Sequence, residues 1–159
     1  HEGTGTLYPP ATLRNSETVS VYVPVELRRQ VRSYFRSGCA YCRSAESLSV
    51  VTFELEHIVP LSHGGKTEFE NLCLACPTCN RHKADRESGR LESDGDEVAF
   101  FHPHRDRWAD HFAWSDDFTT LIGLSIIGKV TIDALRINRP QLVRVRRIWV
   151  ATNEHPPVD

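Results

Sequence analysis

Two Cys-x-x-Cys pairs, Cys39 with Cys42 and Cys76 with Cys79, constrain this chain more than any other feature. Each pair sets two sulfurs on one tight turn. That spacing suits two corners of a tetrahedral zinc site and is tight for a disulfide. Four thiolates together saturate zinc, so such an ion holds a fold and leaves no open position for substrate. The interval from Cys42 to Cys76 is longer than in a compact zinc ribbon and can contain a strand and a turn. The fifth cysteine, Cys73, is also correctly spaced to pair with Cys76. Pro77-Thr78 makes the better knuckle, so Cys76 and Cys79 are the expected ligands. Cys73, between Leu72 and Leu74, is expected to be a buried, inert thiol.

With 159 residues, 40% of them apolar and 25% charged, the chain reads as one soluble globular domain. It can bury a core without disulfide staples. Thiolate ligands suit a reducing compartment, and no apolar run approaches the roughly 18 residues of a membrane span. A cytoplasmic location is the default expectation. A net charge of −2 makes no global case for a nucleic-acid partner. Patches matter more than sums, however, and the cations cluster. Arg81, Lys83 and Arg86 form one group, Arg105 and Arg107 a second, and Arg139, Arg144, Arg146 and Arg147 a third. Acids gather at Glu92, Asp94, Asp96 and Glu97.

Residues 1–18 are rich in Gly, Thr and Pro and read as a flexible arm; residues 19–159 read as a single domain. Val19–Val23 has strand composition, and the apolar stripe from Val25 to Phe35 predicts a helix ended by Gly38. Thr52–His57 alternates apolar and acidic residues, the pattern of a half-buried strand. The second cysteine pair opens a helix expected to reach about Arg86. Glu87–Asp96 reads as a loop and Val98–Phe101 as a strand. Phe112–Trp114, Thr119–Leu124 and Ile126–Val130 suggest an antiparallel meander with turns at Asp116-Asp117 and Gly128. Ile132–Ile137 suggests a short helix, and Pro140 starts another reaching about Thr152. Residues 97–157 thus form an extension that shares the core. Trp108, Phe112 and Trp114 are expected to be core residues.

A histidine at a strand end is usually structural or solvated, but His57 keeps informative company. Glu56 precedes it, Pro60 ends the strand, and Asn80 opens the helix that the thiols would anchor. A hard cation such as Mg²⁺ takes carboxylate and amide oxygens and keeps other positions for water and phosphate. A neutral histidine beside it can remove a proton from water.

The run Phe53-Glu54-Leu55-Glu56-His57-Ile58-Val59-Pro60-Leu61 is followed by Gly64-Gly65, Asn71-Leu72 and Cys76-Pro77-Thr78-Cys79-Asn80-Arg81-His82-Lys83. Together these resemble the HNH endonuclease family, whose fold is called ββα-metal, and Cys39-Ala40-Tyr41-Cys42 matches its four-cysteine, zinc-stabilised branch. The resemblance covers residues 39–86, the motif core. It implies an α+β fold: a ββα-metal core with a structural zinc on Cys39, Cys42, Cys76 and Cys79, followed by an extension of small antiparallel strands and helices. It also implies hydrolysis of DNA phosphodiester bonds, most simply in duplex DNA, to products carrying a 5′ phosphate. His57 would be the general base, Glu56 and Asn80 would ligate the catalytic divalent ion, and Asn71 would brace the loop that orients His57. Glu56 stands where Asp is commoner in the family. Asn80 stands where His is common, which favours Mg²⁺ or Mn²⁺ over zinc at the catalytic position. Arg81, Lys83 and Arg86 would contact the nucleic-acid backbone, against the alternative of a solvated helix face. His63 and His82 have no fixed role in the family pattern. Other readings are a zinc-dependent nucleic-acid-binding module without turnover, and an interaction protein whose arginines meet an acidic partner.

Overall fold

The computed structural model describes residues 21–158. The expected arm over residues 1–18 and the first two residues of the expected Val19–Val23 strand lie outside that range. The remainder of that segment forms no strand. Val23 instead buries its side chain beside Val31 and Leu72, and Pro24 caps the first helix. That helix, α1, spans Val25–Tyr34 and packs its apolar stripe on the second strand described below.

The motif core is a hairpin followed by a helix. Strand β1 (Glu54–His57) runs antiparallel to β2 (Leu72–Ala75), with Glu54 opposite Ala75 and His57 opposite Leu72. All four residues of β2 are buried, because α1 covers one side of the pair and other parts of the chain the other. Helix α2 (Pro77–Lys83) follows at once and lies against β1. Cys76 caps α2 by accepting the Cys79 amide at 3.4 Å, and Pro77 occupies the first turn, where its missing N–H costs nothing. The helix ends at Lys83, three residues earlier than expected, because Ala84 turns to φ 52°.

The extension begins with a two-residue antiparallel pair, β3 (Ser88–Gly89) and β4 (Val98–Ala99). So the segment expected to be pure loop donates a short strand, and the strand expected over Val98–Phe101 is only half as long. Helix α3 (Trp108–His111) leads into β5 (Phe112–Trp114), which pairs antiparallel with β6 (Leu121–Gly123).

The chief correction follows. Ile126–Val130 is not a strand, and Gly128 is not a turn. Both belong to α4 (Ile126–Leu135), which also absorbs most of the short helix expected at Ile132–Ile137. The isoleucine- and valine-rich run has strand propensity, but propensity yields to context. Ser125 caps the helix by accepting the Gly128 amide at 3.1 Å. Gly128 is required by close packing: a Cβ there would lie 2.1 Å from the His111 carbonyl oxygen. Arg136, in the left-handed region at φ 49°, ends α4. Helix α5 (Pro140–Ala151) completes the described fold.

One buried cluster draws on both halves of the chain. It contains the four knuckle cysteines, Phe53 and Leu74 together with Phe101, Phe112, Leu121, Val130, Leu135 and Leu142. Trp108 and Trp114 pack against it. No helix among the described residues is long and apolar enough to cross a membrane.

Candidate active site and metal centre

The thiols converge as their spacing requires. The sulfurs of Cys39, Cys42, Cys76 and Cys79 all lie within 4.8 Å of one another, and all four residues are buried. Cys42 Sγ and Cys76 Sγ are 3.8 Å apart. A tetrahedron with zinc–sulfur bonds of about 2.3 Å has edges of about 3.8 Å, so this separation fits a shared ion. Soft thiolates in closed tetrahedral array are the donor chemistry of structural zinc, and these four residues would hold it. Within the set, hydrogen bonding by Cys39, Cys76 and Cys79 holds the Cys42 thiol well below its ordinary range, whereas burial pushes Cys39 up. Cys73 stays outside. Burial raises its pKa to about 12, and its sulfur donates to the Tyr41 hydroxyl at 3.8 Å.

Two arginines of the extension meet this centre, and spacing in the sequence gave no sign of either contact. Arg139 donates from Nη1 to Cys79 Sγ and from Nη2 to Cys76 Sγ, each at 3.7 Å. Arg146 is completely buried and donates to Cys42 O at 3.4 Å, Thr119 O at 3.1 Å and Asn138 Oδ1 at 3.2 Å. Four thiolates on a divalent ion carry two excess negative charges, and these guanidiniums sit where that charge would be. Groups in this outer position typically control metal affinity by about 10–100-fold. Arg139→Ala should therefore release zinc to a chelating dye at a markedly lower chelator concentration, with Arg139→Lys between it and the parent. Equal zinc affinity in all three proteins would remove that role.

The second polar site lies between β1 and α2. Glu54 and Glu56 alternate on β1 and so share one face, and Asn80 and Lys83 share one face of α2. These two faces meet. Asn80 Nδ2 donates to Glu54 Oε2 at 2.5 Å, and Lys83 Nζ donates to Glu56 Oε1 at 3.1 Å and to His57 O at 3.3 Å. Lys83 is 2% exposed. The expected phosphate contact fails at this residue, because its position one turn after Asn80 puts it against the strand and away from the surface. Of the three cations expected to contact nucleic acid, Arg81 and Arg86 remain exposed. Arg86 is partly engaged, donating to Ala134 O and lying over the Phe100 ring.

The His57 ring leaves this row. Its Nε2 lies 2.9 Å from Thr67 Oγ1, in the loop between β1 and β2. With Nε2–H donating to Thr67, Nδ1 keeps the lone pair. Burial, followed by the nearby Lys83 ammonium, lowers the His57 pKa below its ordinary value, so the ring is neutral at physiological pH. Burial raises the pKa of Glu56, while Lys83 opposes that shift.

Asn71 organises the loop between these elements. Its Oδ1 accepts the Val59 amide at 2.8 Å, and its Nδ2 donates to Val59 O at 3.0 Å and Lys66 O at 2.9 Å. The Ile58 amide donates to Asn71 O at 2.9 Å. Gly65 lets the loop close, since a Cβ there would lie 1.8 Å from Val59 O. His63 pairs with Glu87 at 2.8 Å, and His82 is half-buried on α2.

Oxygen donors from Glu54, Glu56 and Asn80 are the chemistry a hard divalent ion selects. The motif reading omits Glu54, although its place two residues before Glu56 puts it on the same strand face. Nothing in the sequence marks Thr67. Among the described residues, only the four thiols form a group of three or more His, Cys, Asp or Glu ligand atoms close enough for an ion.

Residues 39–86 match the family model described as HNH endonuclease. That stretch is similar to the HNH family, and it contains the four clustered cysteines that suit a zinc site. That match implies a metal-dependent nuclease or nucleic-acid-binding role. No curated protein and no solved structure matches the chain.

Proposed function

We propose that this protein is a metal-dependent endonuclease that hydrolyses phosphodiester bonds in DNA. The observation that carries this reading is the meeting of Glu54, Glu56, Asn80 and Lys83 between β1 and α2, beside a neutral histidine. Thr67 fixes the ring by taking Nε2, and Nδ1 of His57 withdraws a proton from the attacking water. Asn71 sustains the loop that holds His57 and Thr67 in register. Glu54 takes an N–H of Asn80, which leaves the amide oxygen of Asn80 to serve, with Glu56, as a ligand. Mg²⁺ or Mn²⁺ held by Glu56 and Asn80 would neutralise charge on the phosphoryl and leaving 3′ oxygens. Arg81 and Arg86 position the backbone, contributing affinity without base readout.

A second reading has one observation in its favour. The Lys83 ammonium already supplies a cation to Glu56, as it would in a nucleic-acid-binding module without turnover. Supercoiled plasmid incubated with the zinc-loaded protein separates the two. Added Mg²⁺ or Mn²⁺ is expected to give nicked or linear product, and Glu56→Ala to abolish it. Intact plasmid with either ion, alongside a retained gel shift, would establish the binding module instead.

A further inference from the structure

A groove of about 780 Å³ lies between α2 and the turn joining α4 to α5. Its walls include Arg81 and His82 from α2 and Arg136, Asn138, Arg139 and Gln141 from the turn and the start of α5. Arg81 and Arg136 are exposed, and neither forms an ion pair among the described residues. Asp133 is the one carboxylate on the wall, against Arg81, Arg136 and the thiol-bound Arg139, so the groove is cationic on balance.

Position gives the groove its meaning. Arg81 and Asn80 are neighbours on α2, about 100° apart around the helix axis. Asn80 turns toward Glu54 and the polar site, and Arg81 turns into the groove. A chain of phosphates passing the end of β1 therefore crosses α2 and meets Arg136 on the far wall. Arg136 owes its place to the left-handed residue that ends α4, an element of the extension. The wall also presents the amides of Asn138 and Gln141 and the imidazole of His82, beside the apolar Ile132 and Pro140. The paired guanidiniums suit phosphate diesters, and no Phe, Tyr or Trp ring lines the groove for a base to stack on.

We infer that this groove is a second binding site for the nucleic-acid backbone, which Arg81 and Arg136 grip on the side of α2 away from β1. The inference rests on the endonuclease reading for its choice of ligand, and its test needs no cleavage. In a His57→Ala background, binding of a fluorescein-labelled duplex of random sequence is followed by anisotropy across a range of salt concentrations. Arg81→Gln and Arg136→Asn should each weaken binding several-fold and lower the slope of log affinity against log salt by about 1. Asn suits the left-handed backbone at 136, so that variant keeps the turn. Arg144→Gln, an exposed cation on α5 outside the groove, should bind as the parent does.

Unchanged affinity and slope in both groove variants would overturn the site. So would an equal loss in Arg144→Gln, which would show only diffuse charge, or a parent that fails to bind duplex at low salt. Zinc content and melting temperature, unchanged in each variant, confirm that the fold is intact. Plasmid cleavage by the wild-type protein judges the endonuclease reading separately.

Discussion

Replacing His57 with alanine should reduce plasmid nicking by about 10²–10⁴-fold, the range that a positioned general base contributes. The loss should appear in the rate of the chemical step and leave duplex affinity unchanged, because the ring's hydrogen bond among the described residues is to Thr67. The zinc centre does not involve that ring, and the loop it touches at Thr67 has other anchors. The Asn71 side chain and carbonyl hold the loop by bonding main-chain groups of Ile58, Val59 and Lys66, and the thiols lie elsewhere. The variant should therefore melt at the parental temperature and carry the parental amount of zinc. Initial nicking rates at saturating Mn²⁺, with melting curves and metal analysis on the same preparations, provide the measurement. Cleavage at the parental rate would take the base role from His57.

The opposite pattern is expected at the thiols. Cys42→Ser, or removal of zinc by a strong chelator, should unfold the protein and with it abolish every nucleic-acid activity. Structural zinc contributes about 10–16 kcal/mol in small domains, whereas the net stability of a domain is about 5–15 kcal/mol. Loss of the ion thus outweighs the rest. The cost is larger here because Cys39, Cys42, Cys76 and Cys79 also belong to the main buried cluster. Trp108 and Trp114 pack on that cluster, so their near-ultraviolet dichroism reports its collapse directly. A cooperative transition at the parental temperature after metal removal would show that the core holds without an ion.

The motif core was legible because its constraints are local. Two Cys-x-x-Cys turns, an alternating strand ending at His57 and a proline-started helix each declare themselves within a few residues. The extension was not legible in the same way. Its isoleucine- and valine-rich run at 126–130 satisfied a strand pattern, and only the Ser125 cap and the packing of Gly128 on His111 made it helical. Charge was the least readable quantity. Lys83 and Arg146 look in sequence like members of solvated basic clusters, yet both are buried against oxygen acceptors. Single-residue polarity does not reveal a partner supplied from 27 positions away, as Glu56 and Thr119 are to those two cations. Glu54 shows the reverse. Its alternation with Glu56 placed it on the site face, but the pairing with Asn80 depends on where α2 lies.

Arg146 touches no part of the polar site, yet three separate stretches of backbone and side chain close upon its one guanidinium. It bonds to the first cysteine knuckle, to the turn between β5 and β6 and, through Asn138, to the bend before α5. Asn138 in turn exchanges two hydrogen bonds with Leu121, at 2.8 and 2.7 Å. A genetic screen for loss of function in this protein should accordingly return hits at Arg146 and Asn138 as readily as at His57. Those alleles would be distinguished by low abundance in the cell, because they fail in assembly where His57 alleles fail in chemistry.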